Sequence, residues 1–136
     1  MRKYNVVDLF SGVGGLSYGF SLLSEFNIIV ANEIEKDISI AYTLNHPNVK
    51  MLNCDFEEAV KDAKEGDLVY FDPPYDSEND TTFNSYTEEG FGKDAQIRLA
   101  NLFKELSDRG CYVMLSNHNT TLINELYADY NIHVIT

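Results

Sequence analysis

Short apolar runs alternate with amphipathic segments along the chain, and this alternation constrains the fold more than any other feature of the sequence. Apolar strands that are connected through helices form a parallel sheet with both faces covered. The sequence therefore predicts an α/β fold with helices on both faces of a parallel sheet. The predicted strands are Asn5–Phe10, Phe26–Ala31, Lys50–Leu52, Asp67–Phe71, Cys111–Leu115 and Asn131–Ile135.

The clearest predicted helix lies between the predicted strands Asp67–Phe71 and Cys111–Leu115. Its apolar residues are spaced i, i+3, i+4 and i+7, and Gly110 ends it. These residues are Leu99, Leu102, Phe103 and Leu106. Three other helices have apolar faces at Leu16, Phe20 and Leu23, at Ile38, Ala41 and Tyr42, and at Leu122, Ile123, Leu126 and Tyr127. We also expect a short acidic helix over residues 57–64 and a loop over residues 76–93.

Composition predicts one domain over residues 1–136, because the chain is 44% hydrophobic and long enough for a single core. The sequence has no apolar run of the length that a membrane span needs. Its two cysteines, Cys54 and Cys111, are too few for a disulfide scaffold and lack metal-ligand spacing. We therefore expect buried thiols, a cytoplasmic location and no metal site.

The net charge argues against DNA binding by this chain alone. Ten basic residues stand against 22 acidic residues, which gives a formal net charge of −12. Proteins that bind DNA neutralise its phosphates with Lys and Arg, and this supplies much of their affinity. A chain this acidic repels a polyanion at long range. Any function on nucleic acid is therefore expected to go with weak, nonspecific binding by the chain alone.

A glycine-rich turn follows the first predicted strand, in the segment Ser11-Gly12-Val13-Gly14-Gly15. Glycine permits positive φ and lets a ligand approach the backbone. The same kind of turn also serves the packing of a helix on a strand. Because ligands of parallel sheets bind beyond the carboxyl ends of the strands, the turn lies where a cofactor is expected.

Acidic residues occupy four predicted strand ends, at Asp8, Glu33, Asp55 and Asp72. Glu33 is placed to accept hydrogen bonds from ribose hydroxyls, or it is a solvated acid. Asp55 is placed to accept from an adenine amino group with Phe56 against the ring, or it caps the next helix, and the two roles are compatible. As a set, these acids suit the cationic cofactor S-adenosylmethionine better than the pyrophosphate of a dinucleotide.

The tetrapeptide Asp72-Pro73-Pro74-Tyr75 is the most specific signal in the chain. Two prolines fix φ and donate no hydrogen bonds, so the segment is rigid and its carbonyl groups stay available. An acid and a proline carbonyl then hold both protons of an amino group, while Tyr75 offers a ring for stacking. Two fixed acceptors also stabilise the charge that develops on a reacting amine. The sequence therefore predicts catalytic roles for Asp72, Pro73, Pro74 and Tyr75.

Residues 66–136 resemble the Dam-type adenine-N6 DNA methyltransferases. Beyond the tetrapeptide, the similarity includes Phe83-Asn84-Ser85-Tyr86-Thr87, Gly90-Phe91-Gly92, Gln96 with Leu99, and Val113-Met114-Leu115-Ser116-Asn117. Residues 5–55 are similar instead to the cofactor half of cytosine-C5 DNA methyltransferases, through Asp8 to Gly15, Asn32-Glu33 and Tyr42 with Asn45. Both resemblances imply a Rossmann-like class I methyltransferase fold, here lacking the final antiparallel strand.

The resemblance implies S-adenosylmethionine as the cofactor, and its expected contacts are Asp8, Phe10, Gly12, Gly14, Glu33, Ile34, Asp55, Phe56 and Asp72. Tyr75 stands where cytosine-C5 enzymes have their nucleophilic cysteine, which excludes C5 chemistry. Gly15 and Asp72 are too close in sequence for the target-recognition domain that Dam-type enzymes carry between these motifs. We expect His118 to be a surface or capping residue.

Three hypotheses follow for the function. The first is methyl transfer to the N6 amino group of adenine in DNA by a reduced catalytic core, with the base flipped into the site. The second is a cofactor-binding module, or one subunit of a split or chimeric methyltransferase whose partner subunit carries target recognition. The third keeps the chemistry but takes cytosine-N4 or a protein amide as acceptor, and the Dam-like similarity beyond the tetrapeptide argues against it.

Overall fold

The computed structural model describes residues 3–78 and 91–136. In these residues five parallel strands form one sheet in the order β3-β2-β1-β4-β5. The elements in chain order are β1 (Tyr4–Leu9), α1 (Gly15–Ser21), β2 (Phe26–Asn32), α2 (Lys36–Asn45), β3 (Lys50–Leu52), α3 (Phe56–Ala59), β4 (Leu68–Phe71), α4 (Lys93–Asp108), β5 (Tyr112–Leu115) and α5 (Thr121–Leu126). The predicted α/β fold with a parallel sheet is confirmed, and none of the described helices is long and apolar enough to cross a membrane.

The carboxyl ends of the strands are aligned at one edge of the sheet. Leu9 at the end of β1 pairs with both Asn32 and Phe71, the last residues of β2 and β4. Asn32 pairs with Leu52 and Phe71 pairs with Leu115, so β3 and β5 end at the same level. Every loop that follows a strand therefore starts from this edge, which is where ligands of parallel sheets bind.

One face of the sheet is covered by α3, α4 and α5, which enclose the main hydrophobic core. The predicted apolar face of α4 is confirmed, since all four of its residues are buried. Phe103 packs edge-on against Phe71 of β4 and Tyr127 next to α5, with ring centroids 6.0 and 5.2 Å apart. Each large side chain buried in this way contributes roughly 1.5–3 kcal/mol. The core therefore anchors the two strands, β4 and β5, whose loops carry the tetrapeptide and Asn117.

The opposite face is covered by α1 and α2. Phe20 of α1 contacts Phe26 and Tyr70, with ring centroids 5.0 and 6.3 Å apart. Tyr42 of α2 is fully buried and its hydroxyl hydrogen bonds Ser17 of α1 at 2.7 Å. This bond joins the two helices directly below the glycine turn.

The sixth predicted strand, Asn131–Ile135, is wrong. The whole segment is exposed and pairs with none of the five strands among the described residues, and Ile135 is 93% exposed. A strand exists only where a neighbouring backbone accepts and donates its ladder hydrogen bonds. An alternating apolar pattern is therefore not sufficient to make this segment a strand.

Three helix predictions also need correction. Ile38, predicted on the apolar face of α2, is 39% exposed, whereas Tyr42 of the same predicted face is fully buried. Leu23 is about half exposed, because α1 ends at Ser21 and Phe26 takes the place against Phe20. The acidic helix predicted over residues 57–64 is the single turn α3, after which Arg109 donates hydrogen bonds to the carbonyls of Val60 and Ala63, both at 2.9 Å. These side-chain bonds satisfy carbonyls that a longer helix would have used itself.

The loop predicted over residues 76–93 lies partly outside the described residues. Its first residues, 76–78, have no regular structure, and Lys93 already begins α4. Both cysteines are free; Cys111 is buried and Cys54 half-buried. Burial raises the pKa of both thiols, as expected for structural rather than reactive cysteines.

Candidate active site

The turn after β1 has three residues in the left-handed region of backbone conformation. These are Phe10, Gly12 and Gly14, with φ of 60°, 58° and 100°. A Cβ on Gly14 would lie 2.6 Å from the His46 ring, so helix packing already requires glycine there. A Cβ on Gly12 would meet nothing within 4 Å, so its backbone is open to a ligand. Of the two glycines predicted to contact the cofactor, Gly12 thus has the clearer opening for it.

Glu33 is brought against this turn from the end of β2, as the sequence predicted for neighbouring strand ends. Its Oε1 accepts a hydrogen bond from the Gly12 N–H at 3.1 Å, and its Oε2 accepts from the Glu35 N–H at 2.8 Å. A carboxylate has about four acceptor positions, so two are left for ribose hydroxyls. Glu33 is half-buried, and the neighbouring Ile34 is 69% exposed beside it.

Asp8 is buried at the end of β1 with only 1% of its surface exposed. Its Oδ2 accepts a hydrogen bond from the Ser17 hydroxyl at 2.6 Å, and Ser17 in turn bonds the Tyr42 hydroxyl. Among the described residues, Asp8 Oδ1 and the neighbouring Ser11 hydroxyl have no hydrogen-bond partner. Such orphaned polar atoms are uncommon in protein interiors and indicate a missing ligand or ordered water.

Burial raises the pKa of Asp8 from 3.8 to about 6. The hydrogen bond from Ser17 opposes this rise, whereas the negative charge of Asp72 reinforces it and His46 weakly opposes it. Burial also raises the pKa of Tyr42 to about 12, so this residue remains a neutral hydroxyl. A cation close to Asp8 would stabilise its ionised form, which is the form that suits a sulfonium ligand.

Asp55 caps α3, so the capping role that the sequence left open is confirmed. Its Oδ1 accepts from the Phe56 N–H at 2.9 Å, while its Oδ2 accepts from Arg98 at 2.7 Å. Arg98 also bonds Glu57 and lies 5.0 Å from the centroid of the Phe56 ring. The predicted role of Asp55 towards an adenine amino group stays a prediction, and Arg98 is a competitor for that acceptor which the sequence did not reveal.

The rings of Phe10 and Phe56, both predicted cofactor contacts, lie next to each other. Their centroids are 5.6 Å apart, and Phe91 packs edge-on against Phe10 at 5.5 Å. Phe56 is only 4% exposed, so the cluster belongs to the core as well as to the edge of the site.

The tetrapeptide leaves the end of β4 immediately beside β1. The Asp72 N–H points at the Leu9 carbonyl with a distance of 3.5 Å, which places Asp72 next to the strand that leads into the glycine turn. Asp72 is exposed, Pro73 is buried and Pro74 is exposed. The two halves of the predicted site, Asp8 to Gly12 with Glu33 and Asp72 to Tyr75, therefore lie on adjacent strands.

Tyr75 is half-buried, and Asp72 and Ser116 both act on its hydroxyl. Burial raises the pKa of Tyr75, Asp72 raises it further, and Ser116 opposes the rise. Ser116 bonds Tyr70 as well. An amino group that enters the site can reach Asp72, because that side chain is exposed.

His118 packs edge-on against the Tyr75 ring, with centroids 4.9 Å apart. It is exposed, and its Nδ1 hydrogen bonds the Asp76 carbonyl at 2.8 Å, which fits the expected surface role. In the part of the chain that the structure describes, no cluster of His, Cys, Asp and Glu residues has the makings of a metal site.

The model of the D12 class N6 adenine-specific DNA methyltransferases matches residues 32–136, which is most of the chain. The chain belongs to this family. The match confirms the adenine-N6 resemblance of residues 66–136 and extends it upstream to Asn32. DNA is the substrate of the D12 family, and S-adenosylmethionine is the methyl donor that membership implies. Of residues 5–55, which are similar to cytosine-C5 enzymes, residues 32–55 fall within this adenine-N6 match. The glycine turn lies outside the matched range, so for residues 5–31 the cytosine-C5 resemblance stays a prediction.

Relatives of known identity agree with the D12 assignment. The chain is 49% identical over 105 residues to the type II methyltransferase M1.LlaDCHI of Lactococcus lactis subsp. cremoris, which covers 75% of this chain and 37% of that protein. It is 45% identical over 87 residues to the type II methyltransferase M.MjaIII of Methanocaldococcus jannaschii, with coverage of 62% and 30%. The chain thus spans about a third of the length of these relatives.

Solved structures confirm the Rossmann-like methyltransferase fold. A DNMT2 mutant from Spodoptera frugiperda superposes with a TM-score of 0.65 at 20% identity, covering 93% of this chain and 40% of that one. A putative DNA modification methyltransferase from an Escherichia coli prophage superposes with a TM-score of 0.60 at 18% identity, with coverage of 93% and 37%.

Proposed function

We propose that the chain is a reduced catalytic core that transfers a methyl group from S-adenosylmethionine to the N6 amino group of adenine in DNA. The observation that carries the proposal is the position of Asp72-Pro73-Pro74-Tyr75 at the end of β4, directly beside the turn that follows β1. A tetrapeptide suited to an amino group therefore lies next to a turn suited to a cofactor. We further propose that residues 1–136 act as one domain, with no target-recognition domain inserted between Gly15 and Asp72.

The donor side fits S-adenosylmethionine in three respects. Gly12 leaves open space above its backbone, Glu33 has acceptor positions left for ribose hydroxyls, and Asp8 has a buried carboxylate oxygen without a partner among the described residues. When bound, this cofactor supplies a methyl group that its sulfonium charge makes electrophilic. Asp8 and Glu33 together give the cofactor side of the site a negative charge that favours such a cation.

On the acceptor side, the proposed role of Asp72 and the Pro73 carbonyl is to accept one hydrogen bond each from the two N–H groups of the N6 amine. The adenine amine is a poor nucleophile because its lone pair is delocalised into the ring. Two acceptors in fixed positions favour a pyramidal nitrogen, and the Asp72 carboxylate stabilises the positive charge that develops on it. Tyr75 stacks on the base, which must leave the duplex to reach this exposed edge.

The proposal is tested by incubating the chain with S-adenosylmethionine that carries a tritiated methyl group and with unmethylated DNA. We expect slow transfer without sequence preference, and N6-methyladenine as the product in digested DNA analysed by mass spectrometry. The formation of 5-methylcytosine or N4-methylcytosine would overturn the proposed acceptor. A control with Asp72→Ala distinguishes transfer by this chain from a contaminating enzyme.

The second candidate function is a cofactor-binding subunit that requires a partner carrying target recognition. The net charge of −12 favours this candidate, because a chain this acidic repels DNA at long range. Binding of S-adenosylmethionine without any methyl transfer, and transfer restored by a basic partner subunit, would support it over the first candidate. The relatives come from bacteria and an archaeon, where DNA lies in the cytoplasm, and we propose that location here.

Glu33→Ala is predicted to weaken the binding of S-adenosylmethionine by about 1–3 kcal/mol, because ribose hydroxyls would lose their acceptor. In this variant the Gly12 N–H also loses the Glu33 carboxylate as its acceptor, so the loss of affinity is expected at the upper end of that range. Isothermal titration calorimetry measures it. Glu35→Ala is the matched control, since Glu35 is exposed and its side chain makes no capping hydrogen bond. Equal affinities of wild type and Glu33→Ala would remove Glu33 from the site.

A further inference from the structure

Two side-chain amides link the loops after β4 and β5, and the proposed chemistry does not use them. Gln96 lies in the first turn of α4 and is only 2% exposed. Its Nε2 donates a hydrogen bond to the Pro74 carbonyl at 2.9 Å, and its Oε1 accepts one from Asn117 Nδ2 at 3.1 Å. A buried amide that is bonded on both sides specifies the position of its partners strongly.

Asn117 continues the linkage from the loop after β5. Its Oδ1 accepts hydrogen bonds from the backbone N–H groups of Asp76 and His118, both at 2.8 Å. The same loop also binds Asp76 through Thr120, whose hydroxyl donates to Asp76 Oδ2 at 2.6 Å. The end of the tetrapeptide is therefore connected to β5 as well as to α4.

These bonds fix the backbone on both sides of Tyr75. The Pro74 carbonyl belongs to the peptide plane before Tyr75, and the Asp76 N–H belongs to the plane after it. Gln96 holds the first plane and Asn117 holds the second. The backbone of Tyr75 thus has little freedom left, and the Pro74 carbonyl is occupied, whereas the structure records no such bond to the Pro73 carbonyl from a described side chain.

We propose that Gln96 and Asn117 are positioning residues for the target base. They orient Tyr75 for stacking and occupy the Pro74 carbonyl, so that the adenine amino group meets the Pro73 carbonyl together with Asp72. The inference rests on the proposed function, because it assigns the base to this loop. It predicts that substitutions at Gln96 slow methyl transfer to the base and leave the binding of S-adenosylmethionine unchanged.

Gln96→Glu tests this role through its pH dependence. The protonated carboxyl group has the shape of the amide: its O–H donates to the Pro74 carbonyl and its C=O accepts from Asn117. Deprotonation turns the donor into an acceptor facing a carbonyl oxygen, and the low exposure of the position raises the pKa of the introduced carboxyl group. The joined segments carry other titratable groups, namely Asp72, Tyr75, Asp76 and His118. These groups are the same in wild type and variant, so a difference between the two pH profiles reports on residue 96.

For Gln96→Glu we expect methyl transfer close to wild type at acid pH, and a loss in kcat of about 100-fold once the introduced carboxyl group is ionised. The KM for S-adenosylmethionine should remain within about twofold of wild type, because Gln96 shares no partner with the proposed cofactor site and separate sites usually act independently. Asn101→Leu is the control, because Asn101 is an exposed amide on the same helix. A Gln96→Glu profile parallel to wild type at every pH would overturn the proposal.

If the wild type transfers no methyl group, the proposed function fails, but the role of Gln96 and Asn117 in fixing the loop can still be tested. Amide hydrogen exchange measures it. In Gln96→Leu, the Asp76 N–H should exchange at least about tenfold faster, because Asn117 loses the partner that orients it. In Gln96→Glu, the protection of this N–H should return at acid pH. Unchanged exchange at Asp76 in both variants would show that the amide pair does not hold the loop.

Discussion

Asp72→Ala is expected to reduce methyl transfer to adenine by about 100- to 1000-fold, the usual effect of removing one group that stabilises developing charge. Asp72 is exposed at the end of β4, and its carboxylate is close enough to Tyr75 to help raise the pKa of that side chain. Because the carboxylate is exposed, an amino group can reach it, and we expect its main partner in the reaction to be the target base. The affinity for S-adenosylmethionine should therefore stay nearly unchanged.

Two further variants make the Asp72 result specific. Asp72→Asn keeps one acceptor oxygen but loses the negative charge, so we expect activity between that of wild type and Asp72→Ala. Asp62→Ala removes an exposed acid after α3 and should leave the activity unchanged. Single-turnover methyl transfer and calorimetry are measured on the same samples. A parallel loss of cofactor affinity in Asp72→Ala would show that Asp72 acts on the cofactor, as its predicted cofactor contact allows, rather than on the base.

The parts of the fold that depend on local periodicity could be predicted from the sequence. The five strands of the sheet and the long helix α4 follow from runs and spacings that occur within one element. The adjacency of the glycine turn, Glu33 and Asp72 follows from one further rule, that parallel strands share a carboxyl edge. The prediction of a strand over Asn131–Ile135 is wrong because a strand also needs a neighbouring strand to pair with, and a local sequence pattern does not show whether one is present.

The parts of the site that depend on distant residues could not be predicted. Arg98 binds Asp55 across 43 residues, and Gln96 binds Pro74 across 22. Gln96 was visible only as part of a family resemblance, and Arg98 gave no signal beyond the polar side of an amphipathic helix. Both contacts depend on how α4 packs in the fold, and only the tertiary structure fixes which of its side chains reach Asp55 and Pro74.

Asp8 is expected to reduce the stability of the fold at neutral pH. The folded protein holds the pKa of Asp8 at about 6, above the ordinary value of 3.8, because the side chain is buried. Between these two values the folded state binds more protons than the unfolded state, so the free energy of unfolding falls as the pH rises. A shift of about two units corresponds to roughly 3 kcal/mol, present below pH 4 and lost above pH 6.

Asp8→Asn removes this contribution, since its side chain does not ionise. Urea unfolding of both proteins from about pH 4 to about pH 7.5 should show similar stabilities at the acid end and a more stable variant at neutral pH, by up to roughly 3 kcal/mol. Asp37→Asn, an exposed acid in the first turn of α2, is the control and should follow the wild type at every pH. Curves for wild type and Asp8→Asn that run parallel across this range would contradict the prediction.

The same variant should bind S-adenosylmethionine more weakly at neutral pH, although its fold is more stable. The bound cation favours the ionised form of Asp8, so binding by the wild type should strengthen as the pH rises through about 6. In Asp8→Asn that increase should be absent. Calorimetry in buffers of different ionisation enthalpy measures the protons released near pH 6, and equal release by both proteins would mean that Asp8 does not face the cation. A buried acid that strengthens cofactor binding while it lowers the stability of the fold is an example of the trade-off between activity and stability at active sites.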